Sequence, residues 1–247
     1  TSHGRYLMKK PKELKGKKIA IIGLGASQID FIIGLENSKQ WDEVWVINSA
    51  VAAYDYDRVF MMDPASRYLD TEDAGNQTEV MRRLLPSVTK PIYSCEKDDR
   101  VPAIVEYPLA EVCTEGKCAY LNTTAAYSIA FGLWAEVAEM DLFGMDFSYK
   151  ENIHFAEAGR ACLEFWISKC IDAKIKIGVS PRSTLLDSNV PVTERLYGYH
   201  RLADPLVAMA SPEGDWILCP RSQLSTMVQK HNLETIKMPT SPEPYKG

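Results

Sequence analysis

Residues 17–27 read KKIAIIGLGAS, an apolar, β-branched run that ends in glycine and continues into a second glycine and a serine. A run of this length and composition is typical of a strand that is buried on both faces of a parallel sheet. A helical pattern follows and extends to about Glu36. The segment therefore predicts the strand–turn–helix unit with which an α/β fold begins.

Strands and helices alternate along the chain after this unit. Short apolar runs predict strands at 43–48, 58–62, 91–95, 140–143 and 174–179, and longer patterns predict helices at 79–85, 123–137, 156–173 and 222–231. The stretch after Cys95 is rich in charge and proline and is predicted as a loop. Such alternation predicts βαβ units, and hence a Rossmann-like, mostly parallel sheet with helices on both faces.

The pattern divides the 247 residues into three parts. Residues 1–16 combine TSHGRYLM, which looks like an expression-tag remnant, with a basic lead-in. Residues 17–188 form the predicted nucleotide-binding domain. Residues 189–247, where the alternation fades, predict a small lid or subdomain with a disordered, proline-rich tail. Six lysines in the segment 8–18 could touch phosphates, but a solvated approach to the first strand is the favoured interpretation.

Composition and charge exclude several classes of protein. Hydrophobic residues make up 46% of the chain and charged residues 25%, as in an ordinary globular protein. The net charge of −5 indicates no nucleic-acid-binding face, and no apolar run is long enough to span a membrane. No charged-then-apolar leader opens the chain. The six cysteines form no C-x-x-C pair, and Cys162 and Cys170 fall in a helical pattern, so we expect reduced thiols, no structural zinc and a cytoplasmic location.

The turn after the first strand is the first candidate ligand site. Open parallel sheets bind ligands outside the carboxyl ends of their strands. Gly23 and Gly25 would let the backbone approach a ligand, and the helix that starts near Ser27 would offer free N–H groups to an anion. Gln28 replaces the third glycine of the dinucleotide fingerprint, so the pattern departs from an NAD site. A tight structural turn is the alternative.

Polar side chains also follow other predicted strands. Asn48, with Ser49, could hydrogen-bond a base or a sugar, or could cap a helix. Asp63 could orient a substrate hydroxyl, or could end its strand in a turn. Thr123 and Thr124 open a helix whose small first-turn residues would admit phosphate or ribose oxygens, although an ordinary capping segment has the same composition.

The segment 143–149, FGMDFSY, ends a predicted strand at Gly144 and then presents Asp146 and Tyr149. His154 follows in a predicted polar loop, before a helix that Glu157 opens. An imidazole with an ordinary pKa of about 6.5 can take the proton of an attacking hydroxyl. We therefore predict His154 as a catalytic base, with Asp146 and Tyr149 beside it. A histidine that caps the helix or packs against it is the alternative.

Together these segments resemble the bacterial sialyltransferases of glycosyltransferase family 42 and the related MptE-like (DUF115) proteins, which include a pterin pyrophosphokinase. They also resemble uncharacterised tailed-phage proteins with a G-x-D-F…E-A-G-R-A-C-x-E-F-W pattern, which is present here at 144–147 and 157–166. The resemblance covers roughly residues 17–187. It implies a location in the cytoplasm of a bacterial or phage-infected host cell.

Most matches to the sialyltransferase motifs lie at predicted strand ends or helix starts. The matching positions are 23–27 for the nucleotide-binding G-N-G-P-S loop, Asn48 for a strand-end asparagine near the donor, 123–125 for the T-S-G helix start, 144–147 for G-I-D-F, and 180–186, which includes Ser183, for C-P-N-S-L-L. The family's catalytic histidine lies eight residues before A-L-E-F, as His154 does before 162–165. Leu24 and Ala26 depart from the family's loop.

The resemblance implies a transferase that moves a group, taken here as a sugar, from a nucleotide-activated donor to a hydroxyl acceptor, with no required cofactor. Only seven residues separate Asp146 from His154, where the family has a long acceptor-covering lid. We therefore expect a different acceptor, and residues after Asn189 would supply another lid. The acceptor is not identified by the sequence, and a homo-oligomer is left open.

Two other functions are compatible with the same residues. A pyrophosphokinase of the MptE type would need Mg²⁺, for which Asp63 and Asp146 are the candidate ligands. A phage accessory protein could bind a nucleotide without catalysis. Fold alone does not choose among the three.

Overall fold

The computed structural model describes residues 7–149, 151–210 and 216–231. Its centre is a seven-stranded sheet. The strands are β1 (Lys18–Ile22), β2 (Glu43–Ile47), β3 (Arg58–Phe60), β4 (Ile92–Ser94), β5 (Ile104–Glu106), β6 (Glu139–Phe143) and β7 (Lys176–Val179). The described helices are α1 (Ile29–Glu36), α2 (Ala65–Leu69), α3 (Thr78–Leu84), α4 (Leu109–Gly116), α5 (Thr124–Trp134), α6 (Ile153–Asp172) and α7 (Leu224–Lys230).

The strand order is β5-β4-β3-β2-β1-β6-β7, and every neighbouring pair is parallel. From β1 the chain builds the sheet outward on one side as far as β5. It then returns to place β6 on the other side of β1. The predicted Rossmann-like α/β class is confirmed, and β1 lies where the direction of winding changes.

Alternation along β1 explains why helices cover both faces. Successive side chains of a strand point to opposite faces, so Ile19 and Ile21 enter one core and Ala20 and Ile22 enter the other. The first core also contains buried residues of α4, α5 and α6, and the second contains those of α1, α2 and α3. A strand buried on both sides has no polar face to present, which is why its sequence is continuously apolar.

Helix α5 is buried along most of its length, including Ile129, Ala130 and Phe131 at 0% exposure. A helix that is apolar all round belongs inside the protein. Phe131 packs against three aromatic rings of the sheet, those of Trp45, Phe60 and Tyr93. These contacts fix the start of α5 near the carboxyl edge of the sheet.

Two elements lie in the segment that was predicted as a loop. Strand β5 has three residues, of which Ile104 is buried and Glu106 is exposed, and it pairs only with β4 at the sheet edge. Helix α4 follows it directly. A three-residue edge strand is too short to show a periodic pattern, which is why the sequence missed it. Helix α2, with five residues, was missed for the same reason.

The part of the chain after Asn189 has its own small sheet. Strands β8 (Leu206–Ala210) and β9 (Trp216–Pro220) pair in antiparallel fashion, and α7 follows as the sequence predicted. The proline-rich tail lies outside the described residues, as do residues 1–6. In the basic lead-in, Lys10 and Lys15 both form salt bridges with Glu136. These surface contacts agree with the interpretation of the lead-in as a solvated approach to the first strand. No helix among the described ranges is long and apolar enough to cross a membrane.

Candidate functional site

A cleft of about 550 Å³ lies at the carboxyl edge of the sheet, beside the ends of β1 and β6. Because α1 and α6 leave these two strands toward opposite faces, a crevice is left between the strand ends. Eight of the residues predicted from the sequence line the cleft: Gly23, Asn48, Asp63, Thr123, Thr124, Gly144, Asp146 and Tyr149. Four other predicted residues, Gly25, Ser27, Ser183 and His154, are not part of its lining.

The loops that follow β1 and β6 are joined by backbone hydrogen bonds. The N–H of Gly23 donates to the carbonyl of Phe143 at 2.8 Å, and the N–H of Gly25 donates to the carbonyl of Gly144 at 2.7 Å. A Cβ added at Gly23 would lie 2.5 Å from the Gly144 carbonyl oxygen. The close approach that glycine allows here is therefore between two protein loops.

The roles predicted for Gly25 and Ser27 are corrected by their contacts. The space beside the Gly25 Cα is filled by the Asp146 carboxylate, so this glycine makes room for a side chain and not for a ligand. Ser27 is 1% exposed. Its hydroxyl accepts a hydrogen bond from the Gly144 N–H at 2.9 Å, and its own N–H donates to Oδ2 of Asp146 at 2.8 Å. Ser27 therefore joins the two loops from behind the cleft.

The Ser27→Ala variant is expected to lose about 1–3 kcal/mol of unfolding free energy, because the buried Gly144 N–H would be left without an acceptor. Urea denaturation monitored by circular dichroism would measure the loss. Ser148→Ala, at an exposed position two residues after Asp146, serves as the control and should change stability by less than about 0.5 kcal/mol. Equal stability of the two variants would contradict the structural role of Ser27.

Asn48 lies directly after β2 with a left-handed backbone, at φ 47°. Its side-chain Oδ1 is buried and has no hydrogen-bond partner among the described residues. The 3₁₀ helix that begins here has no side-chain cap, so the alternative of a capping asparagine is not realised. A strained backbone that holds an unsatisfied acceptor at a cleft is a feature typical of ligand sites.

Asp146, which also lines the cleft, has a second acceptor of this kind. While Oδ2 accepts the Ser27 N–H, Oδ1 is buried and unpartnered within the described chain. Burial and the nearby Asp146 charge raise the pKa of Tyr149, so its phenol stays protonated. The Tyr149 ring packs edge-on against Phe155 at a centroid distance of 5.4 Å. The two rings form an aromatic wall that is still accessible from outside, since Tyr149 is 49% exposed.

The start of α5 forms another wall of the cleft. The Thr123 hydroxyl accepts a hydrogen bond from the Ala126 N–H at 3.2 Å, so Thr123 caps the helix, as the alternative interpretation had it. The first N–H groups of a helix have no carbonyl partner within it. Those of Thr124 and Ala125 lie at the cleft and, with the helix dipole, favour an anion there.

A salt bridge that the sequence did not reveal lies on the wall formed by β3 and α2. Asp63 Oδ1 and Arg67 Nη1 are 2.8 Å apart, and both residues line the cleft with Gln77. The i,i+4 spacing would have signalled the pair only if α2 had been predicted. The pair bears on the magnesium alternative, because a metal bound by Asp63 would have to compete with Arg67 for the carboxylate.

His154 lies within α6, and not in the loop that was predicted for it. The helix begins at Ile153 and is capped by Asn152, whose Oδ1 accepts the Phe155 N–H at 3.1 Å. The side chain of His154 is exposed in the first turn, next to Phe155, which does line the cleft. His154 is thus an exposed residue next in sequence to a lining residue, and it is not the cap of the helix. Its role as a base stays a prediction.

Ser183 is also held away from the cleft. It is 1% exposed, donates through its hydroxyl to the Met145 carbonyl at 2.9 Å, and accepts the Leu185 N–H at 3.1 Å. These contacts attach the loop after β7 to the loop after β6. Its predicted contact with a nucleotide is therefore corrected to a structural role. The lid predicted after Asn189 contributes none of the described lining residues and stays a prediction.

Comparison with known proteins gave a likeness in structure but none in sequence. No family model matches the sequence, and no curated protein matches it. The resemblances to MptE-like and tailed-phage proteins thus gain no support. The sialyltransferase CstII from Campylobacter jejuni, solved in complex with the substrate analogue CMP-3FNeuAc, is similar in structure with a TM-score of 0.42 and 17% sequence identity. The match covers 69% of this chain and 84% of that chain.

Proposed function

We propose that the chain is a transferase that binds a nucleotide-activated donor in the cleft and passes a group, in the leading form a sugar, to a hydroxyl acceptor. The observation that carries the proposal is the composition of this one cleft. A helix N-terminus that favours an anion lines the same cleft as Asn48 and Asp146, and each of these two residues has a buried Oδ1 with no partner among the described residues. A ligand that satisfies both must carry negative charge and hydrogen-bond donors.

A nucleotide-activated sugar meets both requirements. Its phosphates would accept from the N–H groups of Thr124 and Ala125, where the helix dipole favours negative charge. Its ribose or sugar hydroxyls, or an amino group of its base, would donate to Oδ1 of Asn48 and Oδ1 of Asp146. Leaving such buried acceptors unpaired costs free energy, so a ligand that supplies the missing donors is favoured over one that does not.

The size of the cleft is also suitable. Ligand pockets in proteins usually enclose about 300–1,000 Å³, and this cleft encloses about 550 Å³. The aromatic wall of Tyr149 and Phe155 would pack against a flat or apolar face of the ligand. The cleft is therefore large enough for a nucleotide together with part of the group that it carries.

In the proposed reaction the acceptor oxygen attacks the carbon that joins the sugar to the phosphate. The bond from this carbon to the phosphate oxygen breaks, and the nucleotide leaves with the electron pair. N–H groups at the start of α5 would stabilise the charge that develops on the departing phosphate. The acceptor proton passes to His154, which is exposed in the first turn of α6 and adjacent in sequence to the lining residue Phe155. Asp146, inside the cleft, is the competing candidate for the base.

Binding is the property to test first. Thermal unfolding would be followed with CMP, UDP, GDP, ATP plus Mg²⁺, and NAD. Stabilisation by each of the first four would be compared with stabilisation by the corresponding nucleoside. A nucleotide present at 100 times its Kd should raise the unfolding free energy by about 2.7 kcal/mol. Asn48→Ala should remove most of this effect, whereas Asn37→Ala, at an exposed helix end, should retain it. Stabilisation by ATP with Mg²⁺ alone would favour the pyrophosphokinase, and no stabilisation by any nucleotide would refute the proposed function.

A further inference from the structure

We infer that Arg67 is the residue by which the cleft distinguishes a phosphorylated ligand from its uncharged counterpart. The inference rests on the proposed function and adds one specific contact to it, that between Arg67 and a phosphate of the ligand. It comes from the placement of one salt bridge, that between Asp63 and Arg67, on the wall of the cleft.

The balance of charge in the cleft is the first step. Among the described residues that line it, Arg67 is the one with a positive side chain, while Asp63 and Asp146 are acidic. A phosphate that entered would be repelled by the two carboxylates. Helix N–H groups contribute only partial charges. The full positive charge needed to offset the carboxylates is therefore that of Arg67.

The geometry of Arg67 is the second step. Its Nη1 contacts Oδ1 of Asp63 at 2.8 Å, and its Nη2 donates to the carbonyl of Asp73 at 3.1 Å. A guanidinium has five N–H donors, so these contacts hold it at two atoms and leave donors for a ligand. The planar group can present two parallel N–H donors to a phosphate. Because it is already positioned, little side-chain freedom would be lost on binding.

The exposure of the pair is the third step. The side chains of Arg67 and Asp63 are 40% and 37% exposed. An ion pair exposed to this degree contributes little to stability. Asp63 raises the pKa of Arg67 through a hydrogen bond and its charge, so the guanidinium stays ionised. Such a pair keeps the guanidinium of Arg67 at the cleft, where it can also contact an incoming anion without a large loss of stability.

The test compares nucleosides with their 5′-monophosphates. Calorimetric titration would measure Kd for cytidine, uridine, adenosine and guanosine and for CMP, UMP, AMP and GMP. Loss of one charge-assisted contact corresponds to about 10- to 100-fold in affinity. Arg67→Ala is expected to weaken monophosphate binding by this factor and to leave nucleoside binding unchanged. Arg67→Lys should recover part of the loss, because a lysine keeps the charge without the planar fork.

Two further variants separate recognition from a structural effect. Arg83→Ala removes the same charge from an exposed position on α3 outside the cleft, and should leave all eight Kd values unchanged. Asp63→Asn removes the competing carboxylate, and should tighten monophosphate binding several-fold relative to the nucleoside. If the salt bridge had only a structural role, Asp63→Asn and Arg67→Ala would both weaken monophosphate binding.

The outcomes are distinguishable. A monophosphate preference that disappears in Arg67→Ala and persists in Arg83→Ala would support the inference. A preference that persists in Arg67→Ala would overturn it and leave the proposed function intact. If none of these compounds binds the unaltered protein and none of the nucleotides of the thermal panel stabilises it, the proposed function fails and the inference fails with it.

Discussion

The Gly144→Ala variant is expected to lose about 3–5 kcal/mol of unfolding free energy, a loss seen only when a substitution disrupts the core or the backbone. Gly144 has a φ of +65°, which side chains rarely adopt, and a Cβ there would lie 2.5 Å from the carbonyl oxygen of Gly23. That carbonyl belongs to the backbone and cannot rotate away. The loops after β1 and β6 would have to separate, which would stretch the hydrogen bond from the Gly25 N–H to the Gly144 carbonyl.

Gly75→Ala provides a matched control for this prediction. Gly75 also has a left-handed backbone, at φ +55°, but a Cβ there meets nothing within 4 Å. The control should therefore lose only the cost of a left-handed alanine, about 1–2 kcal/mol. Urea denaturation would measure the loss of unfolding free energy in both variants, and the difference between the two losses is the part caused by the contact between the loops. Equal losses would mean that the two loops are free to move apart, and would contradict the close contact between them described above.

The sequence predicted the strands that lie inside the sheet because burial on both faces leaves an unmistakable pattern. β1 is such a case, since its last four residues are buried on alternating sides. β5 escaped prediction because its three residues are too few to show a periodic pattern. The short α2 escaped as well, and with it Arg67. A five-residue helix is too short for a periodic pattern to be visible.

The candidate site could be located from the sequence but not resolved in detail. The carboxyl ends of parallel strands meet at one edge, so Asn48, Asp63 and Asp146 were expected near one another, and the structure places them around one cleft. Whether a polar side chain faces a ligand or another loop depends on contacts between distant residues. Ser27 and Gly144, 117 positions apart, form such a contact. No local pattern distinguishes a serine of this kind from a ligand contact.

The helix boundary near His154 was missed for a different, local reason. The sequence predicted a helix from 156, whereas α6 begins at Ile153 because Asn152 caps it. Asparagine is among the strongest capping residues, and its position three residues before Phe155 was the available signal. With the helix extended by one turn, His154 becomes part of a helix whose next residue, Phe155, lines the cleft. This placement affects how its predicted role can be tested.

The His154→Ala variant is expected to lower kcat by about 10²–10⁴-fold, the usual contribution of a general base. The substrate would be the nucleotide-activated sugar that stabilises the protein most in the binding panel, with its hydrolysis by water as the reaction measured. Donor affinity should be nearly unchanged, because His154 does not line the cleft. Stability should also be nearly unchanged, because the side chain is exposed. The loss would then appear in kcat alone.

Two comparisons decide whether His154 or Asp146 is the base. His200→Ala removes a histidine from the segment 199–201, which contributes no residue to the lining of the cleft and has no lining residue beside it, and should leave kcat at the level of the unaltered protein. Asp146→Asn keeps a similar shape but removes the competing carboxylate from the cleft. If Asp146 were the base, this variant would lose the larger part of kcat and His154→Ala would retain it. A folded His154→Ala protein with unaltered kcat would therefore exclude His154 as the base. Asp146, whose Oδ1 has no partner among the described residues, would then be the remaining candidate.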